Sequence, residues 1–262
     1  MSRIFGRQRP LHLISPQEAR QAHQEGSDER LIHGSAHGEH VGDFVFGGID
    51  GVVTTFAVVA GVAGADLSAA IVLVLGLANL LADGFAMGIG NFLSIRSERE
   101  RYERERARET WEVEHIPEEE RKEITAIYAA KGFSGELLHQ VVTTITADKE
   151  RWVDTMLQEE HGLARETRSP LKGGAVTYFA FIIIGFIPLL TFVVALFADA
   201  LKPYTFPVSV ALTAIALFAI GALKTLVVAR PFWRSGLETL LMGGLAALVA
   251  YVVGYLLRGI QF

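Results

Sequence analysis

The feature that most constrains this chain is a pair of apolar runs that carry carboxylates where a carboxylate is costly. Residues 44–64 and 67–95 each contain at least 21 residues and are joined by a two-residue link, and about 20 apolar residues suffice for a membrane-spanning helix. Asp50 lies in the first run and Asp83 in the second. A charge at the centre of a membrane helix costs about 2.5–3.5 kcal/mol on insertion scales. The two runs therefore predict a membrane hairpin whose acids face a pathway or a partner.

Three further apolar runs of spanning length follow at residues 174–198, 208–228 and 237–257. Half of the 262 residues are hydrophobic, and the charged fifth of the chain is concentrated outside these runs. The strands of a membrane β-barrel would instead alternate in hydrophobicity. The sequence therefore predicts an all-α, polytopic membrane protein with five transmembrane helices in a lipid bilayer.

The distribution of charge divides the chain into four predicted segments. A polar N-terminal segment covers residues 1–40, transmembrane helices 1 and 2 cover 41–95, and helices 3–5 cover 173–262. Between them, residues 96–172 contain 18 acidic and 14 basic side chains. Strong helix formers, and Pro117 at the first position of a helix, predict that this insert is a small helical domain.

Lysine and arginine in the loops predict the orientation of the spans. The link after the first span has neither residue, and residues 199–207, between the third and fourth spans, have only Lys202. The start of the insert is rich in arginine, and Arg230 and Arg234 lie between the fourth and fifth spans. We expect the N-terminus and the insert to be cytoplasmic and the C-terminus to be outside or lumenal.

The polar residues of the first two spans fall on single helical faces. Asn79, Asp83 and Met87 are each four residues apart, and residues at i and i+4 share a face. On the first helix, Glu39, Asp43 and Asp50 also share one face, since they are four and seven residues apart. These faces predict a polar path through the membrane, although the same side chains could simply hydrogen-bond across a helix interface. The residues of the predicted path are Glu39, Asp43, Asp50, Asn79, Asp83 and Met87.

The insert carries glutamates and a methionine at spacings that bring them to common helical faces. Two glutamate pairs are three residues apart, and Met156 and Glu160 are four apart, so each pair projects from one face. A solvated helix could carry any one glutamate, but convergence with a thioether suits Fe²⁺ or Mn²⁺. We expect binding to weaken as the pH falls toward carboxyl pKa values of about 4. The candidate ligands are Glu109, Glu112, Glu120, Glu123, Met156 and Glu160.

Several function classes lack their sequence signatures. The chain has no cysteine, which excludes disulfides and thiolate metal sites. No basic patch interleaved with aromatic residues indicates nucleic-acid binding. No nucleotide-binding fingerprint indicates ATP-driven pumping. The first 40 residues lack an apolar core, so we expect no signal peptide.

Two other interpretations remain open at the level of sequence. Glu112 with His115, and Glu136 with His139, form Glu-x-x-His pairs, as in di-iron carboxylate bundles. A membrane-tethered ferroxidase is therefore an alternative. A metal-sensing or iron-storage module is another, although it leaves the acids within the spans unexplained.

Two segments of the chain resemble the vacuolar iron transporter family of plants, fungi, protists and bacteria. They are IDGVVTTFAVVAGVAGA at 49–65 and ADGFAMGIGNFLSIRSERE at 82–100, and the resemblance covers most of the chain from Glu39 onward. It implies a homodimeric secondary transporter, not an enzyme, which exchanges Fe²⁺, and often Mn²⁺, for protons without a cofactor. It further implies export from the cytosol across a bacterial inner membrane or, in a eukaryote, a vacuolar membrane.

The resemblance also implies roles for individual residues. Asp50 and Met87 match the family's intramembrane metal site, Glu39 matches a glutamate at its cytoplasmic entrance, and the six candidate ligands of the insert match its cytoplasmic site. Plant members carry a glutamate where this chain has Asn79, and here Asp83 follows one turn later. We expect the first helices to meet near the dimer axis through small residues. These are Gly47, Gly48, Gly51, Gly61 and Gly64.

Overall fold

A computed structural model describes residues 40–226 and 230–259 of the chain, and within these residues all regular secondary structure is helical. The α-helices are α1 Val41–Gly64, α2 Ala69–His115, α3 Pro117–Ala130, α4 Gly135–Thr146, α5 Lys149–Glu159, α6 Pro170–Gly185, α7 Ile187–Val194, α8 Thr205–Leu223 and α9 Phe232–Leu257. Two short 3₁₀ helices, Asp199–Tyr204 and Lys224–Leu226, flank α8.

The apolar helices confirm an all-α integral membrane protein. Helices α1, α2 and α9, and α8 with its flanking 3₁₀ turns, are each long and apolar enough to cross a membrane. Helices α6 and α7 meet the same test as a pair bent by 45°. Gly185 ends α6 and Pro188 lies in the first turn of α7, where a proline needs no helical hydrogen bond. Within the described residues there are four candidate spans, or the predicted five when the bent pair is one span.

The described chain forms two compact units. The membrane unit comprises residues 40–92, 170–226 and 230–259, and the insert unit comprises residues 93–169. Helix α2 belongs to both, since its first part lies in the membrane unit and its remainder in the insert unit. Each unit has a hydrophobic core of its own.

Helix α1 is the central element of the membrane unit, where it packs against α6, α8 and α9. A Cβ atom at Gly51 would lie 2.9 Å from Cα and 3.0 Å from the carbonyl carbon of Phe181 in α6. Gly47 lies equally close to the backbone of Thr177, and Gly64 lies against Tyr251 of α9. Helices of the same chain therefore occupy these three positions, and the glycines do not by themselves support a dimer interface.

The outward face of α9 is apolar and uncovered. Leu241, Leu245 and Leu256 are all well exposed, which would be costly in water at about 25 cal/mol per Å² of apolar surface. Because lipid tails accept such a surface without this cost, the exposed face is consistent with a helix in contact with the bilayer.

The insert unit is a helical domain whose boundaries follow local sequence signals. Pro117 opens α3, and Gly132 after its end has a φ of +96°, a conformation that favours glycine. The carboxylate of Asp148 caps α5 by accepting a hydrogen bond from the backbone N–H of Arg151 at 2.8 Å. The buried core consists of Val113, Ile124, Val142, Ile145, Trp152, Val153, Met156 and Leu157.

Replacing Gly51 by alanine tests the close packing of α1 against α6. We expect Gly51→Ala to lower the free energy of unfolding by about 1–3 kcal/mol, because its methyl group would overlap the backbone of Phe181. Gly244→Ala is the matched control, since a Cβ there meets no atom within 4 Å. Thermal unfolding of the purified proteins in detergent gives the comparison. Equal melting temperatures for the two variants would contradict the packing.

Candidate metal sites

Asp50 of α1 and Asp83 of α2 form a pair of acids within the membrane unit. Both side chains are partly buried, and the carboxylates are near enough for their charges to interact. Neither aspartate forms an ion pair with a basic side chain within residues 40–226 and 230–259. Because like charges repel strongly in an apolar setting, a cation bound beside this pair would stabilise it.

The polar face of α2 continues on either side of Asp83. The amide nitrogen of Asn79 is buried and has no hydrogen-bond partner among the described residues, which costs about 1–3 kcal/mol for a buried donor. Met87 is partly buried against an apolar cluster that includes Phe56 and Phe181. The structure thus brings Asp50 and Asp83 together, and it gives Met87 a packing contact on the same face of α2.

A hydrogen-bond network at the start of α1 holds Asp43. The amide of Asn91 in α2 donates to the Asp43 carboxylate at 2.9 Å and to the Thr177 hydroxyl of α6 at 2.8 Å. The ring of His40 also donates to Asp43, at 3.0 Å. This network ties three helices together and fixes a buried acid at this end of α1. The other acid predicted there, Glu39, lies outside the described residues.

The insert unit brings five glutamates within range of one another's charge. They come from α2, from α3 and from the end of α5, and they are Glu109, Glu112, Glu120, Glu123 and Glu160. We refer to these five residues as the glutamate cluster. Glu109 is 1% exposed and Glu120 is 3% exposed, whereas a glutamate is almost never fully buried unless it has a partner. The sixth predicted ligand, Met156, is fully buried in the apolar core.

Burial and mutual repulsion change the proton affinity of the cluster. Burial, and then the charges of Glu109, Glu123, Glu112 and Glu160, raise the pKa of Glu120 to about 7. Burial and the charge of Glu160 also raise the pKa of Glu123. The value of about 4 expected from free carboxyl groups is therefore wrong for Glu120, because burial disfavours the charged form.

Two oxygen atoms of the cluster are buried and accept no hydrogen bond from any residue that the structure describes. They are one carboxylate oxygen of Glu109 and one of Glu120. A buried polar atom without a partner needs an explanation, and an ion is one of the few that fit. Carboxylate oxygens suit hard divalent ions such as Mn²⁺. The residues present therefore fit a divalent cation.

His161 joins this cluster and was not predicted from the sequence. Its Nε2–H donates to the Glu109 carboxylate at 2.8 Å, and ligand atoms of Glu109, Glu160 and His161 all lie within 4.8 Å of one another. The Glu109 hydrogen bond and the charges of Glu160 and Glu109 raise the pKa of His161. Because α5 ends at Glu159, helical spacing does not reveal this residue; its position next to Glu160 was the available signal.

The two Glu-x-x-His pairs do not form a shared centre in the described residues. The ring of His115 stacks on Trp111 and its Nδ1–H donates to the Trp111 carbonyl oxygen at 2.8 Å. His139 is exposed and lines a shallow pocket with Arg121. The convergence that a di-iron carboxylate site requires is therefore not seen between these pairs, and the ferroxidase alternative loses its structural motivation.

Comparison with known proteins identifies the family. Residues 41–255 match the model of the VIT family. The chain is 39% identical to a vacuolar iron transporter of Toxoplasma gondii, over 88% of this chain and 78% of the relative. It is 34% identical to vacuolar iron transporter 1 of Arabidopsis thaliana, over 82% and 84%, and 30% identical to the vacuolar iron transporter of Plasmodium falciparum, over 86% of each chain. The chain belongs to the vacuolar iron transporter family.

Proposed function

We propose that this protein is a proton-coupled antiporter that moves Fe²⁺, and also Mn²⁺, out of the cytosol. The observation that carries the proposal is the Asp50–Asp83 pair, two interacting acids of an apolar unit that lack an ion-pair partner among the described residues. Relatives named vacuolar iron transporters support iron as the cargo. Proton coupling, Mn²⁺ and the direction of transport go beyond those names and are argued from the residues.

The chemistry of the pair suits exchange of metal for protons. In a low-dielectric environment a carboxylate without a cation favours its neutral, protonated form. A divalent ion beside it favours the charged form and displaces the proton. One group therefore binds metal and proton in turn, as an antiporter requires. Met87 would add a neutral thioether that suits a transition metal and adds no charge.

The direction of transport follows from the predicted orientation. The Lys and Arg distribution puts the insert in the cytoplasm, so the glutamate cluster would meet cytosolic metal. We further propose that the protein works as a homodimer. This rests on the family resemblance, and the contacts at Gly47, Gly51 and Gly64 neither support nor oppose it.

Asp50→Asn tests the central claim. We expect Fe²⁺ uptake to fall by about tenfold or more, because an amide neither attracts a dication nor carries the exchanged proton. Purified protein is placed in liposomes that contain an Fe²⁺-quenched dye and a pH-sensitive dye. Protease digestion of the insert measures the fraction of molecules with the insert outside. In the wild-type protein the internal pH should rise as Fe²⁺ enters.

Asp66→Asn is the control for this experiment. It makes the same chemical change in an exposed aspartate of the α1–α2 turn, which pairs with Arg258, and an exposed ion pair contributes about 0–1 kcal/mol. Its uptake should match the wild-type protein. If Asp50→Asn also transports at the wild-type rate with unchanged pH dependence, the proposed mechanism is wrong.

Asp83→Asn tests the origin of the proton dependence. We expect measurable Fe²⁺ uptake that responds less to an imposed pH gradient, because the charge of Asp83 acts on Asp50. The double variant Asn79→Glu with Asp83→Ala moves the carboxylate back by one turn of α2 and should restore the response. An unchanged pH dependence in Asp83→Asn would show that Asp83 is not part of the coupling.

Glu120→Gln tests metal binding by the insert unit. All measurements use a background protein that carries Asp50→Asn, which removes the proposed metal ligand of the membrane unit. The Mn²⁺ binding that remains therefore reports on the insert unit. Because the pKa of Glu120 is about 7, metal must displace its proton at lower pH, and affinity should fall by about tenfold per unit below pH 7. Glu120→Gln should bind more weakly at pH 8 and depend less on pH.

Calorimetric titration at pH 6, 7 and 8 gives the affinities. Glu136→Gln is the matched control, since Glu136 is exposed and its hydrogen-bond partner is Gln140. The same pH dependence in Glu120→Gln and in the background protein would contradict a role for Glu120 in the metal site.

A further inference from the structure

Three side chains of different chemistry meet at the end of α5. Glu109 projects from α2, Glu160 follows the last residue of α5, and His161 is next in the chain. Their ligand atoms lie within 4.8 Å of one another. Gly162, with a φ of +62°, allows the chain to leave the helix immediately after His161. The group therefore forms where a helix ends, and not along a helical face.

The buried acids beside this group still need a cation. Glu109 is 1% exposed, and one of its carboxylate oxygens has no hydrogen-bond partner among the described residues, although the other accepts from His161 at 2.8 Å. Glu120 is 3% exposed and has a partnerless oxygen of its own. Since burial of an unpaired polar atom is costly, these two atoms point to a positive ligand in addition to His161.

We propose that His161 is a nitrogen ligand of the metal site in the insert unit and determines which metals that site prefers. The inference rests on the proposed function, because it assumes that the glutamate cluster binds metal. The imidazole nitrogen lies within hydrogen-bond distance of one carboxylate of the cluster, so an ion bound at Glu109 would also be within reach of His161.

The donor set predicts the direction of the preference. Imidazole suits Fe²⁺, Co²⁺ and Zn²⁺, whereas Mn²⁺, Mg²⁺ and Ca²⁺ favour sites made of oxygen atoms. A site of carboxylates alone would discriminate little between Mn²⁺ and Co²⁺ beyond their general order of affinity. With His161 as a ligand, the site gains affinity for Co²⁺ and Fe²⁺ more than for Mn²⁺. His161 would thus bias the insert toward iron.

The experiment compares Co²⁺ and Mn²⁺ binding by full-length protein in the Asp50→Asn background. We expect His161→Gln to weaken Co²⁺ binding by about tenfold or more and Mn²⁺ binding by at most about threefold. The visible absorption spectrum of bound Co²⁺ should also change, because its intensity and position depend on the ligands. His139→Gln, an exposed histidine of the same unit outside the cluster, should leave affinities and spectrum unchanged.

A second variant separates ligation from a structural role. His161→Glu replaces nitrogen by oxygen and should retain Mn²⁺ binding while the preference for Co²⁺ falls. The proposal is overturned if His161→Gln binds both metals as its background does. It is also overturned if both affinities fall equally with an unchanged Co²⁺ spectrum, or if His161→Glu keeps the original preference.

Failure of the proposed function has a different signature. If Glu109→Gln and Glu120→Gln do not alter Co²⁺ or Mn²⁺ binding, the insert unit is not a metal site, and both its proposed metal binding and the role of His161 are wrong. The transport proposed for Asp50 and Asp83 is then still decided by the uptake of Asp50→Asn protein. If those two variants lose metal binding while His161→Gln retains it, only the role of His161 is wrong.

Discussion

Carboxylates shielded from water are the feature on which both candidate sites depend. In the membrane unit, the partly buried Asp50 and Asp83 form no ion pair with a basic side chain of the described residues. In the insert unit, the buried Glu109 and Glu120 each have one oxygen atom without a hydrogen-bond partner among those residues. Burial of Glu109 and Glu120 penalises their charged forms and raises their pKa values, and neighbouring glutamates add to this penalty. A proton relieves this penalty, and so does a divalent ion. At each of the two proposed sites, metal and proton would therefore compete for the same oxygen atoms.

Close packing of the surrounding helices holds these acids in place. The backbone of α1 touches that of α6 at Gly51, and Asn91 links α1, α2 and α6 through Asp43 and Thr177. In the insert unit, an apolar core that includes Trp152 and Met156 supports the glutamate cluster. Because interiors are close-packed and relax only partly, neither set of acids can move apart freely to reduce its repulsion.

The elements of the chain could be predicted because their signals are local. Pro117 opens a helix, as the chemistry of proline predicts. Spacings of three and four residues placed the glutamates of the insert in pairs, and the structure brings these pairs within range of one another's charge. That they bind metal stays a prediction. Three of the first-helix glycines contact helices of the same chain. Their place at a dimer axis stays a prediction, since a small residue signals close approach without specifying which helix approaches.

The sequence by itself determined the apolar spans, the start of α3 at Pro117, and the presence of acids where acids are costly. Each of these depends on residues that are neighbours in the chain. Only the tertiary structure decided that the pKa of Glu120 is about 7, that His161 contacts Glu109, and that Asn91 donates a hydrogen bond to Asp43. The pKa depends on burial. Each of the two hydrogen bonds joins residues that are 48 or more positions apart in the chain. Helical periodicity carries no information about such contacts, because it relates only residues within a few turns of one helix.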